Sequence, residues 1–357
     1  MKSSEPTLRG RGAAGNPPNR FEEIAFLPEG EARDPDDPGP RTRILRDATR
    51  TIIARNDSPD VGFEKSINPY RGCEHGCAYC FARPFHEYLG FSAGLDFETK
   101  ILAKPNAALL LRRELMKPSW TPKPIAISGV TDPYQPAERR LKITRGCLAV
   151  LAEFRNPVII ITKNYLVTRD IDHLSELAAH GAVSVNLSIT SLRNEIQRVM
   201  EPRASTPRRR LQAVEALAKA GIPVGVMVAP IVPGLTDSEM PAIMQAAADA
   251  GAQGAGYVML RLPHGVRELF EDWLERHFPD RKERVLNRVR EMRGGMLYNS
   301  RWFERARGEG AYAEQIGSLF EQTKRRLGLD RERPPLRTDA FRRPEVPPKG
   351  GQLGLGL

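Results

Sequence analysis

The feature that most constrains this chain is an alternation. From about residue 65 to residue 277, short runs rich in Val and Ile alternate with stretches whose apolar residues recur every three or four positions. The first pattern predicts buried strands and the second amphipathic helices. Strands are predicted over Ser66–Tyr70, Ile125–Val130, Val158–Lys163, Ser184–Thr190, Val224–Ala229 and Ala255–Arg261. Helices are predicted over Ala107–Leu115, Arg145–Phe154, Arg169–Ala179, Thr206–Ala220, Ser238–Ala250 and Val266–His277. Gly181, Gly221 and Gly251 follow three of these helices, where a left-handed cap favours glycine. Alternation of this kind implies parallel strands joined by right-handed crossovers, so the fold class is α/β. Six units favour an open, partial (βα)6 TIM-like barrel over a closed eight-unit one. A doubly wound sheet is the competing topology. In both, ligands sit at the carboxyl ends of the strands.

The flanks differ from this core. Residues 1–60 carry Arg9-Gly-Arg-Gly12, Asn16-Pro-Pro-Asn19 and Asp34-Pro-Asp-Asp-Pro-Gly-Pro40, and read as a flexible N-terminal extension. Within it, Thr51–Arg55 is a candidate edge strand. The barrel is assigned to 61–280, a helical, basic C-terminal region to 281–329, and a disordered tail to 330–357. The net charge is +10, and 18 lysines and arginines face 10 acidic residues from Arg281 to Leu357. Such a region suits a polyanion such as DNA or RNA, or serves as a solvated, solubilising face. No apolar run approaches the roughly 18 residues of a membrane span. The start of the chain lacks an apolar signal stretch. The expected location is cytoplasmic, with no membrane partner.

Three of the four cysteines fall within eight residues, in Tyr70-Arg-Gly-Cys73-Glu-His-Gly-Cys77-Ala-Tyr79-Cys80. A disulfide framework spreads its cysteines, so this clustering points to a metal or redox site. A C-x3-C-x2-C loop can wrap three corners of a cubane and leave one iron open. The alternative is zinc held by Cys73, Cys77, Cys80 and either His75 or Cys147, although structural zinc normally uses paired modules that this chain lacks.

Cys73, Cys77, Cys80 and the aromatic Tyr79 resemble the signature of the radical SAM superfamily. The resemblance implies a [4Fe–4S] cluster on the three cysteines. It also implies S-adenosylmethionine (SAM) on the open iron, cleaved reductively to a 5′-deoxyadenosyl radical. A partial six-unit barrel is the fold it implies, with the cluster loop after the first strand. Four further groups of residues narrow it: Ser128-Gly-Val-Thr131-Asp132-Pro-Tyr134, Ile161-Thr-Lys163, Asn186-Leu-Ser188, and Glu201-Pro with Val228-Ala-Pro230. Together they are similar to the branch containing spore photoproduct lyase and its uncharacterised bacterial relatives, over roughly residues 60 to 275.

On that resemblance Tyr79 packs beside the adenine. Ser128, Thr131 and Asp132 replace the usual Gly-Gly-Glu run that holds the methionine amino group. Lys163, Asn186 and Ser188 contribute to cofactor binding, with the cofactor carboxylate as partner for Lys163. Met227 and Pro230 are candidates for the adenine pocket. His75 and His86 flank the cluster without ligating it. The spore lyase has a hydrogen-donating cysteine where this chain has Ile127, so thymine-dimer splitting does not carry over. Cys147, on the buried face of a helix, and Tyr134 are the weak catalytic candidates.

Three functions compete. The first is a radical SAM enzyme acting on DNA or RNA, such as a lyase-like repair or modification enzyme. The second is a radical SAM enzyme for a small molecule or peptide. The third is a zinc-containing nucleic-acid-binding module. The enzyme readings require an electron donor such as flavodoxin or ferredoxin. Gln352-Leu-Gly-Leu355 weakly resembles peptides that dock on the bacterial sliding clamp.

Overall fold

A computed structural model describes residues 8–21, 40–127, 129–331 and 334–345 of the 357-residue chain. Ser128 and the clamp-like Gln352–Leu355 lie outside the described residues. In chain order the strands are β1 (Arg43–Arg46), β2 (Ile53–Arg55), β3 (Lys65–Ile67), β4 (Tyr70–Arg71), β5 (Lys100–Ala103), β6 (Ile125–Ile127), β7 (Val158–Thr162), β8 (Val183–Ser188), β9 (Val224–Ile231) and β10 (Ala255–Met259).

Strands β3, β6, β7, β8, β9 and β10 run parallel, each hydrogen-bonded to the next in sequence order. A doubly wound sheet reverses its strand order partway; this one never does. β2 pairs antiparallel on the outer edge of β3, within the expected edge strand. The sheet ends at β2 on one side and β10 on the other, and these edges do not pair. The architecture is therefore the open, partial barrel.

The strand sequences explain its two faces. In β8, Val183, Val185 and Leu187 are buried in the main apolar core. Ser184, Asn186 and Ser188 alternate with them and so take the opposite face, as the period of two requires. All six predicted helices are present to within two residues, among them Pro207–Lys219 and Val266–His277. Gly181, Gly221 and Gly251 take positive φ at their helix ends.

Other parts differ from expectation. The predicted strand Ser66–Tyr70 breaks at Pro69, which has no N–H for a ladder. β3 stays in the barrel, while β4 joins a second sheet of order β1-β5-β4. A short helix, Asn194–Met200, precedes Pro207–Lys219. The C-terminal region is helical over Pro279–Glu291 and Gly310–Arg326. It is packed into the body: Phe320 meets Tyr257 of β10 at 4.6 Å, and the buried Arg293 guanidinium donates to the carbonyls of Leu260, Glu304 and Arg305.

Both expected loose ends are corrected where they are described. Residues 334–345 run under the amino ends of the strands. There the Arg342 N–H donates to the Phe154 carbonyl at 2.9 Å and the Arg337 N–H to Gly181 at 3.0 Å. Phe341 packs on Phe154. Residues 8–21 strap over the cysteine loop at the other end of the barrel, with Leu8 and Ala13 buried beside Leu95 and Leu269.

Candidate active site

The cysteine loop follows β4 and is tied down from several directions. The Cys73 N–H donates to Phe97 O at 2.8 Å, the Glu74 N–H to Gln135 Oε1 at 3.0 Å, and the Ala78 N–H to Met200 O at 3.0 Å. Arg83 is fully buried. Its guanidinium donates twice to the Cys77 carbonyl and once each to Ala93 and Gly94, and it pairs with the buried Glu98 at 2.6 Å. Glu98 also accepts the N–H groups of Gly12 and Ala13, which clamps the strap onto the loop. At their crossing a Cβ on Gly12 would lie 1.8 Å from the Gly76 carbonyl oxygen, so the two glycines permit the contact.

Cys73, Cys77 and Cys80 line one cavity of about 250 Å³ at the carboxyl ends of the strands. Burial raises all three thiols above their ordinary range. They need a cation's charge to persist as thiolates. Among the described residues no three Cys, His, Asp or Glu side chains converge on one ion-sized point. Three soft thiols lining one cavity can hold three corners of a cubane and leave the fourth iron open. The donor set therefore fits a [4Fe–4S] cluster with one open iron.

Tyr79, Thr131, Asp132, Lys163 and Ser188 line the same cavity, with His75, Met227 and Pro230. Their order follows from the fold, since each sits in the cluster loop or at a strand's carboxyl end. Asp132 joins the second strand end to the third. It accepts Thr162 Oγ1–H at 2.7 Å and the Lys163 N–H at 2.8 Å, and lies 3.5 Å from His75 Nδ1. Asn164 Nδ2 lies 3.1 Å from His75 Nε2, while its Oδ1 accepts the Leu166 N–H, so its amide donates to the ring. Burial lowers His75, with Asp132 opposing.

Lys163 is held by protein acceptors at the cavity wall. Its ammonium faces Ala229 O at 2.8 Å, Glu201 Oε1 at 3.2 Å and Thr190 Oγ1 at 3.3 Å. Three protein acceptors thus match its three donors. Glu201 is the hub: it accepts from Tyr79 and Thr190 and forms a buried pair with Arg210. Burial alone would raise the Glu201 carboxyl, but Arg210 and Lys163 outweigh it and hold it well below the usual range.

The remaining candidates fall elsewhere. Asn186 shares the Ser188 face of β8 but is not among the residues lining the cavity. Tyr134 and Cys147 are fully buried in the main core, and burial pushes the Cys147 thiol up to about 12. Neither is placed to meet a substrate. Glu201, Thr190, Arg210 and the Arg83–Glu98 pair had no assigned role. A signal existed for Arg210, a charge inside the apolar stripe Arg210, Ala213, Val214, Leu217 that is buried on its helix.

The cofactor cavity shares Phe81, Gly129, Val130, Ile161, Val258 and Arg261 with a larger one of about 800 Å³. The rim of this second space carries Phe85 and Tyr88, 50% and 68% exposed, together with Arg20, Arg55 and His264. Arg261 lies 4.8 Å over the ring of Phe81.

The model of the Radical SAM superfamily matches residues 67–247, half of the chain. The chain belongs to the radical SAM superfamily. An uncharacterised protein of Mycobacterium tuberculosis is 40% identical over 232 residues, which cover 64% of this chain and 67% of that one. An uncharacterised protein of Methanocaldococcus jannaschii is 28% identical over 52% of this chain and 66% of its own. Among solved structures, spore photoproduct lyase complexed with dinucleoside spore photoproduct has a TM-score of 0.57 at 16% identity, covering 80% of this chain and 79% of that one. The radical SAM enzyme shares that fold, and its cofactors are a [4Fe–4S] cluster and SAM. Among the described residues no helix is long and apolar enough to cross a membrane.

Proposed function

We propose that this radical SAM enzyme acts on nucleic acid, taking hydrogen from a nucleotide seated in the larger cavity. The observation that carries the reading is the junction of the two cavities at Phe81 and Arg261, beneath a rim of exposed aromatics and arginines. Aromatic faces stack bases and guanidinium groups meet phosphates, the combination used for single strands and extruded bases. The likeness to a lyase solved with a dinucleoside lesion supports it.

In this reading Cys73, Cys77 and Cys80 hold the cluster. When bound and reduced, the cluster supplies the electron that splits SAM into methionine and a 5′-deoxyadenosyl radical. Tyr79 offers its ring to the adenine, its hydroxyl anchored by Glu201. Thr131, Asp132 and Ser188 present oxygens to the amino acid end. Lys163 gives that end a fixed positive charge while Glu201 holds its ammonium. Val130, Ile161, Met227 and Val258 line the space apolarly and exclude water.

The test is anaerobic reconstitution with iron, sulfide and SAM. About four irons per chain, and deoxyadenosine formed with dithionite but lost in Cys77→Ala, are expected. Damaged and undamaged oligonucleotides are then added. A mass change in the oligonucleotide, with binding that weakens steeply with salt, supports the reading. Deoxyadenosine formation unaffected by any oligonucleotide, with no salt-dependent binding, overturns it in favour of a small molecule or peptide.

A further inference from the structure

Gly129 and Val130 line both the cofactor cavity and the larger one, and the Asn68 side chain holds them there. β3 pairs with β6 in parallel, with Ile67 against Ile127 at the end of the ladder. Pro69 has no N–H to continue it, and the chain leaves the strand. The side chain before it takes over. Asn68 Oδ1 accepts the N–H groups of Gly129 and Val130, both at 3.0 Å. Two backbone donors on one oxygen also fix which end of the carboxamide is Oδ1 and which is Nδ2. The amide packs against Gly129, where a Cβ would lie 3.3 Å from Nδ2 and 3.5 Å from Oδ1.

Asn68 begins a series of ties between the segment entering the cysteine loop and the segment leaving β6. The Tyr70 carbonyl accepts Thr131 Oγ1–H at 3.3 Å. The Gly72 carbonyl accepts Gln135 Nε2–H at 3.1 Å, and Gln135 Oε1 accepts the Glu74 N–H at 3.0 Å. Held in this way, Thr131 and Asp132 line the cofactor cavity with Cys73. Tyr70, Thr131 and Gln135 are not part of the wall of the larger cavity, whereas Asn68 is. Asn68 therefore faces the substrate space while it holds the loop that presents oxygens to SAM.

We propose that Asn68 is a positioning residue that couples the two cavities. Its Oδ1 sets the loop carrying Thr131 and Asp132, and its Nδ2 donates to an acceptor on the substrate, a nucleobase carbonyl. A hydrogen bond given by Nδ2 polarises the amide and makes Oδ1 the stronger acceptor. Substrate and SAM then act on opposite ends of one planar group, so each raises the affinity for the other. Val130, Ile161 and Val258 at the same junction suit the face of a base, and the amide donor beside them suits its edge. The substrate half of this inference rests on the nucleic-acid reading; the hold on the loop does not.

The test uses the full chain reconstituted with its cluster, kept without reductant so that SAM is not consumed, and its Asn68→Ala and Asn68→Asp variants. SAM affinity is measured by anaerobic titration calorimetry, alone and with a single-stranded DNA oligonucleotide in excess. Asn68→Ala frees both N–H groups and is expected to weaken SAM binding alone at least about tenfold. Asn68→Asp keeps an acceptor for both and is expected to restore most of that affinity, but it has no Nδ2 donor. In the wild type the oligonucleotide should tighten SAM binding about fivefold or more; in Asn68→Asp that gain should vanish. Wild-type SAM affinity in Asn68→Ala overturns the hold on the loop. A gain preserved in Asn68→Asp, or a bound oligonucleotide that leaves wild-type SAM affinity unchanged, overturns the coupling. An oligonucleotide that does not bind the wild type at all overturns the nucleic-acid reading and the coupling with it, while Asn68→Ala still reports on the loop. Equal iron content and far-UV circular dichroism in the three proteins show that cluster and fold survive the substitutions.

Discussion

Glu201 carries one negative charge between two cations, Arg210 and Lys163, in a site where all three are largely removed from water. Removing that charge leaves the cations unpaired. Glu201→Gln should therefore lose about 3–5 kcal/mol of stability, the cost of breaking a buried pair, as read from urea unfolding. Cys147 makes the opposite case. It packs in the core and lines neither cavity. Of this chain's four cysteines it alone lies outside the cluster loop. Cys147→Ala should leave deoxyadenosine formation unchanged and cost about 1–2 kcal/mol. His86 adds a pH dependence. It is buried between Phe91 and Phe97, and burial lowers it from 6.5 to about 4, opposed by the Asp96 charge and by the backbone of Lys100. Below pH 6.5 the unfolded chain takes up a proton that the folded one refuses, so stability is full above that pH and is lost as pH falls toward 4. The contribution is about 3 kcal/mol. Urea midpoints at pH 7 and pH 5 should differ less for His86→Phe than for the wild type; equal differences would refute the assignment.

At the scale of elements, the strap over 8–21 behaves as part of the cluster loop. Its fit depends on the absence of a side chain where Gly12 crosses Gly76. Gly12→Ala should force the strap outward, cost about 1–3 kcal/mol as overpacking does, and speed limited proteolysis within residues 8–21. The strap also marks the limit of what could be read in advance. The βα units were legible because each carries its own period, as in Val183, Val185 and Leu187 or Ala213, Val214 and Leu217. The Gly12–Glu98 contact joins residues 86 apart and leaves no periodic trace. Strand β1 sits in a Pro- and Gly-rich stretch and exists through β5. The site shows the same division. Cys73, Cys77 and Cys80 declare themselves by spacing and Lys163 by its strand end. Glu201, which determines what Lys163 faces, does so only through three-dimensional convergence.

For the whole molecule, the cysteine loop is held by protein groups on every side: Arg83, Glu98, Gln135, Phe97 and Met200. The fold should therefore outlast the loss of its metal. A Cys73→Ala/Cys77→Ala/Cys80→Ala variant is expected to keep its far-UV circular dichroism and a single cooperative melt while binding no iron; a broad, non-cooperative melt would show that the cluster organises the barrel. The barrel itself has a seam, since β2 and β10 do not pair. Across it, Arg305 from the C-terminal region reaches Asp60 in the loop after β2. The larger cavity has lining residues on both sides of this line. A closed cylinder has its girth set by an unbroken ring of backbone bonds and admits a polymer only by threading an end. A split cylinder fastened by a side-chain clasp can flex its bore by releasing that clasp, and it can receive a long strand sideways, at an internal position, with no free end required.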